Sequence, residues 1–261
     1  MPELENSGEF LTPNGKRVSF EVRTDLPSPK ELVLGMASAG IAEGTALVSD
    51  YRDTALCRDS EFLRKHAKQR GFRLSLLLRP IVHARNAILL TAMASVALCH
   101  ALEALTQKEF GVVWPDGVAV RQGHNKKPLA AIDAVSSMKS DGYLEYFILD
   151  ISAVLDKRLF PETLDGIVTE VFDGKRKTDA GRLAETFLFS FFRMYESIAY
   201  DHSFIADYKL RSVLDGRRAI LLSGERRRRV TVIGIDDEAR LLVETGKREV
   251  IPVVSRSEVL L

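Results

Sequence analysis

Two short runs concentrate the residue types that bind or neutralise charged groups. The first is SDYRDTALCRDSEFLRKHAKQRGF, residues 49–72, which sets Arg52, Thr54, Cys57 and Arg58 close together after an apolar stretch. Arginines in such a run offer fixed positive charge of the kind that pairs with phosphate or carboxylate. Arg58 beside Cys57 favours a thiolate, but no base stands near in sequence, so Cys57 is read as incidental. The second run is QGHNKKP, residues 122–128, a turn-rich connection that carries Lys127. The five histidines, His66, His83, His100, His124 and His202, show no metal-ligand spacing with Cys57 and Cys99, and no metal site is expected. Arg226 to Arg229, within ERRRRV, fall on an expected strand, where alternation places two arginines on each face and a solvated edge is the plain reading.

These residues need elements to hold them. The chain has 261 residues, 46% of them hydrophobic, which suffices for one medium domain and a small one. Its formal charge is +1, so neither nucleic acid nor a membrane surface is an expected partner. Two cysteines give no disulfide framework and suit a reducing cytoplasm, and the acidic, polar N-terminus has no signal-peptide core. AILLTAMASVALCHALEAL, residues 87–105, is apolar enough to approach a membrane span, but its Ala and Ser content with His100 and Glu103 reads as a buried core helix. The start of the chain reads as disordered, with the first strand at Lys16 to Val22. Strands follow at Gly44–Asp50, Arg73–Leu78, Gly117–Arg121, Leu129–Val135 and Tyr143–Val154. Helices are expected at Lys30–Ser38, through the apolar run, at Pro161–Phe172 and over Asp179–Asp207, as one long helix or two short ones. In the last, Phe187, Leu188, Phe191, Phe192 and Tyr195 recur at helical spacing and read as core. Short alternating strands from Arg217 onward suit a small barrel. The fold class is therefore α/β over residues 1–206, followed by a β cap over residues 207–261.

The cap carries a resemblance. Tyr208, Lys209, Ser212, Gly216, Gly234, Ile235, Asp236, Leu241, Val243, Glu258 and Val259 stand where the SH3-like C-terminal domain of a biotin protein ligase has its Y-[RK]-x-x-S-x-x-x-G, G-I-D-x-x-G-x-L-x-V and final E-V. Upstream, EGTALVSD resembles the family's G-T-x-x-x-A-D strand, RLSLLLRP its S-x-x-L-R-P strand, and VWPDG its K-W-P-N-D, with Trp114 and Pro115 in register. The chain thus resembles the biotin/lipoyl protein ligases, a mixed sheet with flanking helices plus a cap.

The resemblance implies ATP-dependent acyl-adenylate chemistry, with biotin and ATP bound with magnesium and a biotin carboxyl carrier domain as the partner. Negative charge develops on phosphate in both steps, and the family meets it with a G-R-G-R loop and a lysine. Here Ala55, Leu56, Cys57 and Arg58 take the G-R-G-R places, and Arg52 the glutamine of A-D-x-Q-T. The loop glycines are gone, and Leu63 to Gln69 carry helix formers. Pro128 takes the lysine's place, with Lys127 one residue early. Such a slip turns a side chain to the other face unless a bulge restores it. FILDISA stands for G-x-G-I-N, with Asp150 at a glycine and Ser152 at the asparagine.

Arg58 and Lys127 are thus the expected catalytic cations, and Arg52, Thr54, Trp114, Asp116 and Ser152 the expected ligand contacts. Three functions stay open. They are a diverged ligase-like protein with weak or lost ligation, a working biotin ligase with a rebuilt loop, and a carrier-docking or regulatory scaffold that uses the arginines of ERRRRV. A homodimer is the family's habit. With the first strand expected at Lys16, a DNA-binding module ahead of it is not expected.

Overall fold

The structure is a computed structural model that describes residues 4–26, 28–51, 71–106, 108–121, 128–154, 178–224 and 226–261. Most of the described residues through Val154 belong to an eight-stranded mixed sheet and the helices packed on it. Its strands are β1 (Leu4–Leu11), β2 (Arg17–Thr24), β3 (Thr45–Tyr51), β4 (Gly71–Leu78), β5 (Phe110–Val113), β6 (Gly117–Val120), β7 (Pro128–Met138) and β8 (Leu144–Val154). Their spatial order is β1-β2-β3-β4-β8-β7-β6-β5. Only β2 and β3 run parallel, joined by helix α1 (Pro29–Ser38); the other pairs are antiparallel.

Central position explains strand composition. All eight residues of β4, GFRLSLLL, are buried because helices cover both faces of the sheet there. Phe72, Leu74, Leu76 and Leu78 face the large core under helices α2 (Ile88–Thr106) and α3 (Thr178–Tyr195), whereas Leu77 joins Leu26, Val33, Ala37, Leu47 and Ile148 beneath α1. The aromatic stripe of α3 is core, as its spacing requires: Phe191 stacks on Tyr195 at 5.5 Å, and both are buried. The apolar α2 is likewise a core helix, packed against α3 and the β5–β7 end of the sheet. It is the one helix among the described residues long and apolar enough to cross a membrane.

Of the two forms expected over Asp179–Asp207, the chain takes the one with two helices. Helix α3 ends at Tyr195 and helix α4 (Phe204–Leu210) follows, straddling the expected boundary at residue 206 and burying Phe204, Ile205 and Tyr208. The start of the chain is a correction: the residues read as disordered form edge strand β1. Its polar sequence hides it because an edge strand has one neighbour and half its groups face water. Gly8 lies so close to the Phe20 ring that a Cβ there would stand 2.5 Å away. The expected helix at Pro161–Phe172 lies outside the described residues.

The C-terminal strands β9 (Arg218–Ser223), β10 (Arg226–Ile235), β11 (Leu241–Thr245), β12 (Val250–Val253) and β13 (Val259–Leu260) form a second, antiparallel sheet in the order β12-β11-β10-β9-β13. Where a closed barrel was expected, this sheet is open, because short β12 and two-residue β13 end as separate edges. A bulge at Ile233, with Gly234 at φ 148, bends β10. The two sheets are joined closely. The Val112 N–H donates to the Arg211 carbonyl at 2.8 Å, and the Val213 N–H to the Val112 carbonyl at 3.0 Å.

Candidate functional site

Side-chain parity along the sheet assembles a polar floor at one end of the α1 face. Leu47, Leu77 and Ile148 mark that face as apolar beneath α1. Two residues along each strand, alternation brings Ser49, Ser75 and Asp150 to the same side, and two further on Arg73 and Ser152. Register places Ser75 opposite Asp150, Arg73 opposite Ser152, and Asp133 of β7 opposite Asp150. The ends of β3, β4, β7 and β8 meet here: Tyr51 pairs with Gly71, Gly71 with Val154, and Ala130 with Ala153. The segments 52–70, 122–127 and 155–177, outside the described residues, are attached at these strand ends.

The centre of the floor is a buried ion pair. Arg73 Nε donates to Asp150 Oδ1 at 2.9 Å and Arg73 Nη2 to Oδ2 at 2.6 Å, and the Ser75 hydroxyl adds a bond to Oδ1 at 2.6 Å. Both charged side chains are within 1% of complete burial. Charges so enclosed must be paired, and this pair is bidentate. Beside it, partial desolvation on the sheet surface and the like charge of Asp150 push the Asp133 carboxyl above the ordinary aspartate range, with Lys30 and Arg73 opposing. Asp116 sits at the junction with the second sheet. Desolvation raises its carboxyl too, against the pull of the Arg256 guanidinium 2.9 Å away.

The expected site residues part company in the structure. Ser152 and Asp116 reach this end of the sheet; Ser152 is fully buried. Trp114, an expected ligand contact, is 0% exposed, and its indole N–H donates to the Ala239 carbonyl at 2.8 Å, tying the β5–β6 turn to the turn between β10 and β11. The Tyr208 hydroxyl secures the same joint by donating to the Pro115 carbonyl. Arg52, Thr54, Arg58, Lys127 and Cys57 lie outside the described residues. Asp150, whose side chain stands where the family's motif has a glycine, is neutralised by Arg73. Arg73, Ser75 and Asp133 were not singled out from sequence. The available signal was a charge and a hydroxyl two apart in an otherwise apolar central strand, which obliges a partner across the ladder.

Next to the missing lysine position the strand does slip. Val118 pairs with Ala130 but Ala119 with Pro128, so Leu129 is an extra residue against β6, and both Leu129 and Ala130 are buried. A bulge of one residue exchanges the faces of everything before it.

No protein-family model matches the chain, and no curated protein matches it. Solved structures do. Biotin protein ligase from Aquifex aeolicus in complex with biotin and ATP is 20% identical, with 90% of this chain and 94% of that one covered at a TM-score of 0.60. A biotin protein ligase-like protein of unknown function from Silicibacter sp. TM1040 is 15% identical, with 94% and 96% covered at 0.62. The fold is that of the biotin protein ligases. Identities this low establish the biotin ligase-like architecture and leave the chemistry to the residues of the floor. Among the described residues, no three histidine, cysteine, aspartate or glutamate side chains gather as a metal would need.

Proposed function

We propose that this chain is a diverged biotin protein ligase-like protein that binds biotin and ATP weakly or not at all by the family's ordinary mode. The observation that supports this is the Arg73–Asp150–Ser75 cluster, in which a fixed Asp150 carboxylate stands where a glycine would let a ligand approach the backbone. The described floor does not fit a nucleotide's phosphates. Its one central guanidinium is bound to Asp150, and Asp133 and Asp116 add two further carboxylates to the same region. Calorimetry with biotin and ATP, separately and together, is the test. A dissociation constant weaker than about a micromolar, near −8 kcal/mol, is expected, and a tighter one overturns the reading.

The bulge at Leu129 favours a second reading, a working ligase with a rebuilt loop. It undoes a one-residue slip, which supports Lys127 as the stand-in for the family's lysine. On this reading Lys127 and Arg58 neutralise developing phosphate charge, and a carrier domain's lysine receives the acyl group. Transfer of labelled biotin to a carrier domain, lost by about a hundredfold or more in Lys127→Ala and Arg58→Ala, is its signature. Transfer that both variants retain removes the assignment.

A further inference from the structure

We propose that the outer face of the C-terminal sheet is a docking surface for an acidic, leucine-bearing polypeptide segment of a protein partner. This face is separate from the floor described above.

Alternation divides the second sheet cleanly. Ala219, Leu221, Val230, Val232, Leu241 and Val243 are buried inward, so Arg218, Ile220, Arg229, Thr231 and Glu244 face outward. Between them lies a cleft of about 790 Å³ whose walls include Arg218, Arg229 and Arg248, with Ile220, Leu260 and Leu261 as its apolar part. Leu260 and Leu261 are 49% and 46% exposed, and Val250, opposite Glu244 in the ladder, is 50% exposed. Among the described residues none of these three arginines has an acidic partner within ion-pair distance, although Arg240 and Arg256, in the connections of the second sheet, do. Arg248 is held at φ 61 in a turn closed by the Thr245 N–H to the Glu249 carbonyl, a conformation that L residues rarely adopt.

The basic wall continues along β10. Strand β11 pairs with β10 only from Val230 onward, so Arg226 to Arg229 pair with β9 alone, and all four are exposed even though two share the inward side. An apolar centre rimmed by guanidinium groups that have no acidic partner among the described residues is the anatomy of a protein interface, where arginine is enriched. Acidic residues on the partner supply the complementary charge and apolar ones fill the cleft. Nucleic acid is the weaker match. Residues 211–261 contain no aromatic side chain on which a base could stack, and exposed aliphatic side chains add nothing to phosphate binding.

The test uses the full chain and fluorescence anisotropy with three labelled probes: a short peptide of Glu-Glu-Leu repeats, its Lys-Lys-Leu counterpart, and single-stranded oligothymidine. Saturable binding of the acidic peptide alone is expected, weakening as ionic strength rises. Arg229→Glu and Arg248→Glu should each weaken it about tenfold or more, and Leu260→Ser should weaken it too. Arg17→Glu, on β2 of the eight-stranded sheet, should leave it unchanged. Arg229→Gln, with unaltered thermal unfolding, separates lost charge from lost folding. The proposal is overturned by absence of saturable binding, by an equal loss in Arg17→Glu, or by oligothymidine binding more tightly than the acidic peptide.

Discussion

Arg73 and Asp150 offer the sharpest test of the floor. At an effective dielectric of about 20, two unit charges some 4 Å apart attract by about 4 kcal/mol. Enclosing them costs several kcal/mol per ion, so the intact pair comes close to breaking even. Removing one member is different. Arg73→Met leaves a carboxylate with the Ser75 hydroxyl as its remaining described donor, and Asp150→Leu leaves a guanidinium without its bidentate acceptor, both in sites within 1% of full burial. Each single change is expected to lower the free energy of unfolding by about 3–5 kcal/mol. The double variant Arg73→Met with Asp150→Leu removes both charges together and should lose less than either single change. Urea unfolding followed by circular dichroism, with the slope checked for constancy across variants, measures this. Losses below about 1 kcal/mol in the singles, or a double variant that loses the sum of the two, would show that the pair is not the enclosed, mutually dependent unit described here.

Trp114→Phe should cost about 1–3 kcal/mol by leaving the buried Ala239 carbonyl without its donor, and Trp114→Ala about 3–5 kcal/mol; limited proteolysis should show the joint near Arg211 opening first. Burial alone would raise the Glu43 carboxyl, but bonds from Lys16, the Tyr195 hydroxyl and the Arg79 N–H outweigh it and hold it below the ordinary value of 4.5. Its stabilisation is therefore complete above that value and is lost as pH falls through the lowered one, so Glu43→Gln should flatten the acid limb of a stability profile. Asp133 is shifted the other way from its ordinary 3.8, so its charged form is disfavoured in the folded protein. Asp133→Asn should raise the melting temperature at neutral pH, and the gain should vanish at pH values low enough to protonate the native side chain.

Regular elements with strong periodicity are legible in the sequence. The strands around Thr45–Tyr51, Gly71–Leu78 and Leu144–Val154 and the apolar helix α2 announce themselves because burial on one or both faces constrains every residue along them. β1 was missed because an edge strand with one neighbour tolerates Asn, Ser, Gly and Glu. Sequence leaves the split between α3 and α4 open because the aromatic stripe continues in phase up to Tyr195, after which 196–203 forms turns closed by local bonds such as that from the Ser203 N–H to Asp201 Oδ1 at 2.8 Å.

For the site, the resemblance of its motifs to those of the biotin protein ligases pointed to that fold and to a motif in which Asp150 replaces a glycine. It could not tell what neutralises that carboxylate, because its partner lies 77 residues away on the neighbouring strand. Strand pairing alone sets which side chains meet across a ladder. The same holds for Trp114, which in sequence stands where a ligand contact was expected and in space closes on Ala239, 125 residues on. A linear pattern of apolar and polar residues determines which face of an element is buried, since that depends on period alone. Which charge answers which, and whether an aromatic ring meets a ligand or another sheet, depends on contacts distant in sequence, and those were decided only when the chain folded.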